Sequence, residues 1–152
     1  MNDNLKIGAY DTLKHILRIR DLMNILVKEL LDRGELHDLS KLESPEIEAF
    51  AEKGNQLKHL EFNSPEYNAN KKEIDLAIQH HYAHNRHHPE HFKNGISDMN
   101  LIDLLEMFVD WKASSERQYN GNLRKSIKTN GARFNFPPIL IKIFENTMEV
   151  IE

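Results

Sequence analysis

The sequence predicts an all-α protein, a single compact helical domain over residues 1–152 with about six helices. Three observations carry this. Apolar residues recur at i, i+3, i+4 and i+7 through most of the chain. No segment alternates apolar and polar residues with the period of a strand. Ser, Asn, Pro and Gly cluster between the periodic segments, where helices start and stop.

The first helix is expected from about Asp11 to Arg33, with Leu13, Ile16, Leu17, Leu22, Leu26 and Leu30 at helical spacing and Gly34 as its stop. Glu35 to Lys41 form a short connection. Ser44-Pro45-Glu46 and Ser64-Pro65-Glu66 repeat one start signature: an N-cap serine, a proline in the first turn and an acid beside it. The first of these helices is expected to run to about Glu52, before Gly54. The second is expected to run to about His84, with Tyr67, Ile74, Ala77 and Ile78 on one face. Residues 85–97, rich in Asn, His, Pro and Gly, form a loop. Ser97 or Asp98 then caps a long helix to about Tyr119. A short helix follows from Leu123 to Thr129, ended by Asn130-Gly131. Pro137-Pro138 opens a last amphipathic helix from Ile139 to Val150.

Composition narrows the function classes. The chain is 39% hydrophobic and 29% charged, the balance of an ordinary soluble globular protein. It has no cysteine, which removes disulfides, thiolate metal sites and cysteine nucleophiles; any metal must be held by nitrogen and oxygen. The N-terminus has neither a signal-peptide core nor a membrane span, so the cytoplasm is the expected compartment. Net charge is -4. Basic residues are dispersed apart from a modest cluster at Arg117, Arg124, Lys125, Lys128 and Arg133, so nucleic acid is not an expected partner, whereas a small phosphorylated ligand is compatible.

Histidine is the unusual residue. There are nine, six of them between His80 and His91. His15 sits on the apolar face of the first helix near Ile19 and Leu22; alone, it reads as a core-edge histidine. His37-Asp38 lies in the connection between helices. Adjacent side chains do not face one point from a regular helix or strand, but at a bend they do, which suits a metal site. In the run His80 to His91, helical phase puts His81 on the inward face with Asn85 one turn later, and His80 about 100° away. Pro89 stiffens the backbone beside His87 and His88. In the next helix, Asp103, Glu106 and Asp110 form an acidic strip on an otherwise apolar segment, which calls for a cation or a basic partner unless the strip faces solvent.

This order along the chain, a helical His, a turn His-Asp, a His cluster and a helical Asp, resembles the HD-domain superfamily of metal-dependent phosphohydrolases. His15 matches its first-helix histidine, His37-Asp38 its defining pair, and His37-Asp38-Leu39-Ser40-Lys41 its extended His-Asp-x-x-Lys form. The region His80-His81 to Asn85, His88 and Pro89 resembles the middle histidines of the HD-GYP branch, without the Gly-Tyr-Pro signature. Phe108-Val109-Asp110-Trp111 looks like the segment bearing the final aspartate. The resemblance covers roughly residues 12–115. The string Asn85-Arg86-His87-His88-Pro89-Glu90-His91, with Glu106 to Trp111, is also similar to a bacterial and phage family known only as a domain of unknown function.

The superfamily resemblance implies an HD-like helical bundle holding one or two divalent ions on His15, His37, Asp38 and Asp110, with His81 for a second ion and Asp38 as the bridge. Such ligands suit Mn, Fe, Co, Ni or Zn better than Mg. Lys41, His88 and Arg86 are then the candidates to contact a phosphate or protonate its leaving oxygen, and Asn85 to orient a ligand. Helical phase leaves two choices open, His80 against His81 and Glu106 against Asp110. The leading function is hydrolysis of a small phosphorylated substrate, with a nucleotide favoured. The alternatives are an HD-type di-iron oxygenase and a non-catalytic helical module with a structural metal. The apolar breadth of the Met99–Ser115 helix, with Phe134, Phe136 and the last helix, leaves room for a homodimer surface or for an extra packing layer.

Overall fold

The computed structural model describes residues 3–60, 64–66, 69, 74–118 and 120–151, and among these the regular structure is entirely helical. Among the described residues the bounded α-helices are α1 (Asp3–Leu36), α2 (Glu46–Lys58), α3 (Asp75–His84), α4 (Leu101–Glu116), α5 (Leu123–Arg133) and α6 (Pro138–Ile151). Short 3-10 turns cover Leu39–Leu42, Pro89–His91 and Gly95–Asp98. No helix among the described residues is long and apolar enough to cross a membrane. The chain divides into two units, Met1–Leu36 and His37–Glu152.

The first unit is α1. Its 34 residues correspond to about 50 Å of helix. It starts eight residues before the expected Asp11, with Asp3 in the first turn favouring the positive end of the helix dipole. Gly34 does not stop it. Glycine keeps its N–H donor, so the hydrogen-bond ladder continues through it at a cost of about 1 kcal/mol. Gly54 within α2 and Gly131 within α5 are passed in the same way, so α2 reaches Lys58 rather than Glu52 and α5 reaches Arg133 rather than Thr129.

The second unit begins with the 3-10 turn at Leu39–Leu42, packed against α2 and α3. Ser44-Pro45 forms the turn ahead of α2 instead of its first residues; Glu43 O accepts from Glu46 N and Ile47 N at 3.0 and 2.9 Å. Within the span expected as one helix from Ser64 to His84, Pro65, Glu66 and Ala69 are helical, Ile74 is a turn residue and α3 begins at Asp75; Tyr67, placed on the inward face, lies outside the described residues. The cap of α4 is Asn100, not Ser97 or Asp98. Asp98 is engaged by Asn94 N and Nδ2, at 3.0 and 3.0–3.1 Å. Asn100 and Asp103 form a reciprocal capping box.

Behind α4 lies the core. Met107 and Phe108 from α4, Leu123 and Ile127 from α5, Phe136, and Phe144 and Met148 from α6 are all buried together. Phe108 and Phe144 pack with centroids 5.4 Å apart, and Trp111 meets Phe136 and Phe144 at 6.0 Å. The turn between α5 and α6 is set by Asn135 at φ 52. That left-handed residue lets Phe136 N reach Gly131 O at 2.8 Å and Asn135 N reach Ala132 O at 3.4 Å, a Schellman closure four residues past the expected Asn130-Gly131 stop. Gly131 also permits close packing: a Cβ there would stand 3.2 Å from Ile141. With its apolar face against α5 and α6, α4 carries Asp103, Glu106 and Asp110 on the face where the histidines gather.

Candidate metal centre

The centre is built on a bend. α1 ends at Leu36, and Asp38 adopts φ 59, a left-handed conformation that aspartate tolerates. This turns His37 and Asp38 to a common point: His37 Nε2 is 3.4 Å from Asp38 Oδ2. The other oxygen, Asp38 Oδ1, faces His81 Nε2 at 3.3 Å and His87 Nε2 at 3.5 Å. His81 Nε2 in turn lies 2.8 Å from His88 Nε2. Asp38, His81, His87 and His88 therefore form one group of potential ligands, His37, Asp38 and Asp110 a second with Asp38 common to both, and His37, His87 and Glu106 a third, so Glu106 and Asp110 each belong to a group.

Two carboxylates orient the rings. Glu46, fully buried, accepts from His81 Nδ1 at 2.8 Å and from His80 Nδ1 at 2.7 Å. Glu106 accepts from His37 Nδ1 at 2.9 Å and from His87 Nδ1 at 3.1 Å. An imidazole that gives its Nδ1 proton to a carboxylate presents a lone pair at Nε2. Carboxylate, histidine and metal in series is the usual outer support of a metal site. Asn85, buried, donates to Ser40 Oγ at 2.7 Å and to the His81 carbonyl at 2.8 Å, fixing α3 against the turn that holds Asp38.

Burial and neighbouring charge shift five of these groups. His88 is pushed down to about 2 by burial, with His87 and His81 adding to the effect, so its ring is neutral. His81 is lowered by burial and by Lys41. His37 is raised to about 10 by the carboxylates of Asp110 and Glu106, against burial. Burial would raise Glu46, but hydrogen bonds from His80 and Ser40 outweigh it and leave the carboxyl below its ordinary range. Asp110 is likewise lowered, His37 overcoming the effect of burial.

Two buried atoms complete the picture. Asp38 Oδ1 and His87 Nε2 have no hydrogen-bond partner, yet they face each other at 3.5 Å. A carboxylate oxygen and an imidazole lone pair repel unless a cation or proton stands between them. Nitrogen and oxygen donors from Asp38, His81, His87 and His88 fit a divalent transition metal.

The expected site residues distribute as follows. His37, Asp38, His81 and Asp110 come together. His88, expected to act on the phosphate, stands among the ligand nitrogens. His80 lies outside the ligand groups, bonded to Glu46 and stacked on His84 with centroids 4.0 Å apart. Lys41 bonds Asp38 Oδ2 at 2.5 Å. Arg86 forks onto Asp103, with Nε and Nη2 at 3.1 and 3.0 Å from its two oxygens, and its guanidinium lies over the Phe92 ring. That pair is the basic partner the acidic strip required at Asp103. His15 is exposed on α1, in the other unit, and the ligand groups form without it. His87 and Glu46 were not singled out by the sequence. Helical phase does not extend into the loop holding His87, and Glu46 reads locally as an ordinary first-turn acid.

The fold and this cluster define an all-helical protein able to hold a metal ion on histidines and carboxylates. The chain belongs to a family of unknown function (DUF5662), which matches residues 6–152. No curated protein and no solved structure matches it.

Proposed function

We propose that this protein is a metal-dependent phosphohydrolase acting on a small phosphorylated substrate, a nucleotide in the favoured case. The observation that carries the reading is the unpartnered pair Asp38 Oδ1 and His87 Nε2, met by His81 Nε2 and His88 Nε2. The ordered series from His37-Asp38 through His81 to Asp110, which resembles the HD-domain superfamily, supports the reaction class. A divalent ion here would supply an activated water and polarise a phosphoryl oxygen. The chain's own groups do the rest. His81, His87 and His88 would hold the ion, with Glu46 orienting the His81 ring and Glu106 the His87 ring. Asp38, common to two of the ligand groups, would serve one or two ions. Lys41, already at the Asp38 carboxylate, contributes a positive charge to phosphate oxygens and a proton for the leaving oxygen. Arg86 holds α4 through Asp103 and does not need to touch the substrate.

The test is metal analysis of the purified chain beside Asp38→Ala, followed by phosphate release from a panel of nucleotides. Stoichiometric metal in the wild type, its loss in the variant and metal-dependent phosphate release are expected. No divalent metal after reconstitution ends this reading. Bound iron whose absorbance changes on reduction, without phosphate release, replaces it by the di-iron oxygenase. Cooperative melting on chelation, with no turnover at any metal, replaces it by the structural site.

A further inference from the structure

A cleft of about 800 Å³ opens beside the centre, lined at the ligand groups by His88 and Asp110 and on α5 by Lys125, Thr129 and Arg133, with Trp111 also on its wall. That volume lies within the range of small-molecule sites. Residues 125, 129 and 133 are successive positions on one face of a helix. The cleft therefore sorts the basic cluster noted in the sequence. Arg124 pairs with Glu145 and Lys128 is not on the wall. Arg133 is on the wall, but Glu90 neutralises it. Lys125 is on the wall and exposed, with no ion-pair partner among the described residues. It belongs to α5, which contributes nothing to the ligand groups.

We infer that Lys125 binds a second anionic group of the substrate, separate from the phosphoryl group at the metal centre. The preferred substrate class is thus a small phosphorylated molecule with a second anionic group, on a body that fits the cleft, and Lys125 is a specificity determinant; a second phosphate is the probe. The inference rests on the hydrolase reading for the role of the first phosphate.

Binding decides it independently of turnover. The full chain, incubated with Mn, is titrated calorimetrically with adenosine 5′-monophosphate and with adenosine 3′,5′-bisphosphate. One added charge-assisted contact corresponds to a preference of about ten-fold for the bisphosphate. Lys125→Ala, an exposed helical substitution compatible with folding, should bring the two affinities within about two-fold, and Lys128→Ala should keep the wild-type ratio. Equal affinities in the wild type, or a preference that survives Lys125→Ala, overturns the inference. Phosphate release is followed in the same samples: a Lys125-dependent preference without turnover ends the hydrolase reading and keeps the binding site, while turnover without the preference does the reverse.

Discussion

Asp38 Oδ1 and His87 Nε2 stand 3.5 Å apart, both buried and neither hydrogen-bonded, across the gap between the turn after α1 and the loop after α3. An ion filling that gap binds the folded chain and not the unfolded one, so it stabilises by about 2.7 kcal/mol at one hundred times Kd. For a chain of this length that raises Tm by roughly 5–10 °C. Scanning calorimetry with and without Mn or Zn should show this shift in the wild type and lose most of it in Asp38→Ala and His87→Ala. An equal shift in all three proteins would place the ion elsewhere.

Glu46 is fully buried and accepts Nδ1 protons from His80 and His81 together. Glu46→Gln keeps the volume but loses the charge and one acceptor. Ion affinity, measured by competition with a chromophoric chelator, is expected to fall about 10–100-fold. Unchanged affinity in a folded Glu46→Gln protein would mean that Glu46 serves packing alone.

Arg86 and Asp103 tie the histidine loop to α4, and Asp103 also caps that helix through Asn100 N. Arg86→Ala removes the cation from a fully buried carboxylate. The cost is set at about 2–3 kcal/mol, below the roughly 3–5 of a wholly buried pair, because Arg86 is half exposed. Urea unfolding should show this as a lower midpoint at an unchanged slope. A midpoint within experimental error of the wild type would count against the pair as a tie.

The metal-free protein should lose stability as pH rises from about 6.5 to about 10. His37 is raised to about 10 in the folded chain by Asp110 and Glu106. A raised folded pKa contributes fully below the unfolded value and vanishes above the folded one. Melting the chelated protein at pH 6, 8 and 10 tests this, and His37→Gln should flatten the decline. Because an ion on His37 Nε2 must displace that proton, ion binding below pH 10 should also release protons, which titration in buffers of different ionisation enthalpy would detect.

Much of the fold was legible from residue spacing. The 3.6-residue period identified the helices, since it marks an apolar stripe on one face whether or not that stripe is buried, as on α1, where it is exposed. Their ends were less legible. Gly34, Gly54 and Gly131 read as stops yet lie inside helices, because a helix ends where the chain turns away to pack, as Asn135 does to bring Phe136 onto Gly131.

Within the centre, the sequence alone indicated that His37 and Asp38 could meet at a bend, and that an acidic strip on an apolar helix needed positive partners unless it faced solvent. It also put His81 on the inward face of its helix. Only the tertiary structure decided who the partners were. It brought Glu46 to His81, Glu106 to His37 and His87, and Arg86 to Asp103. A ligand set is a property of distance in space, and side chains from a turn, a helix and a loop share no period that a linear pattern can express. His37 and Asp38 touch because they are neighbours in the chain; His87 meets Asp38 because Asn85 bonds Ser40 and Glu106 bonds both His37 and His87, which hold the two segments together.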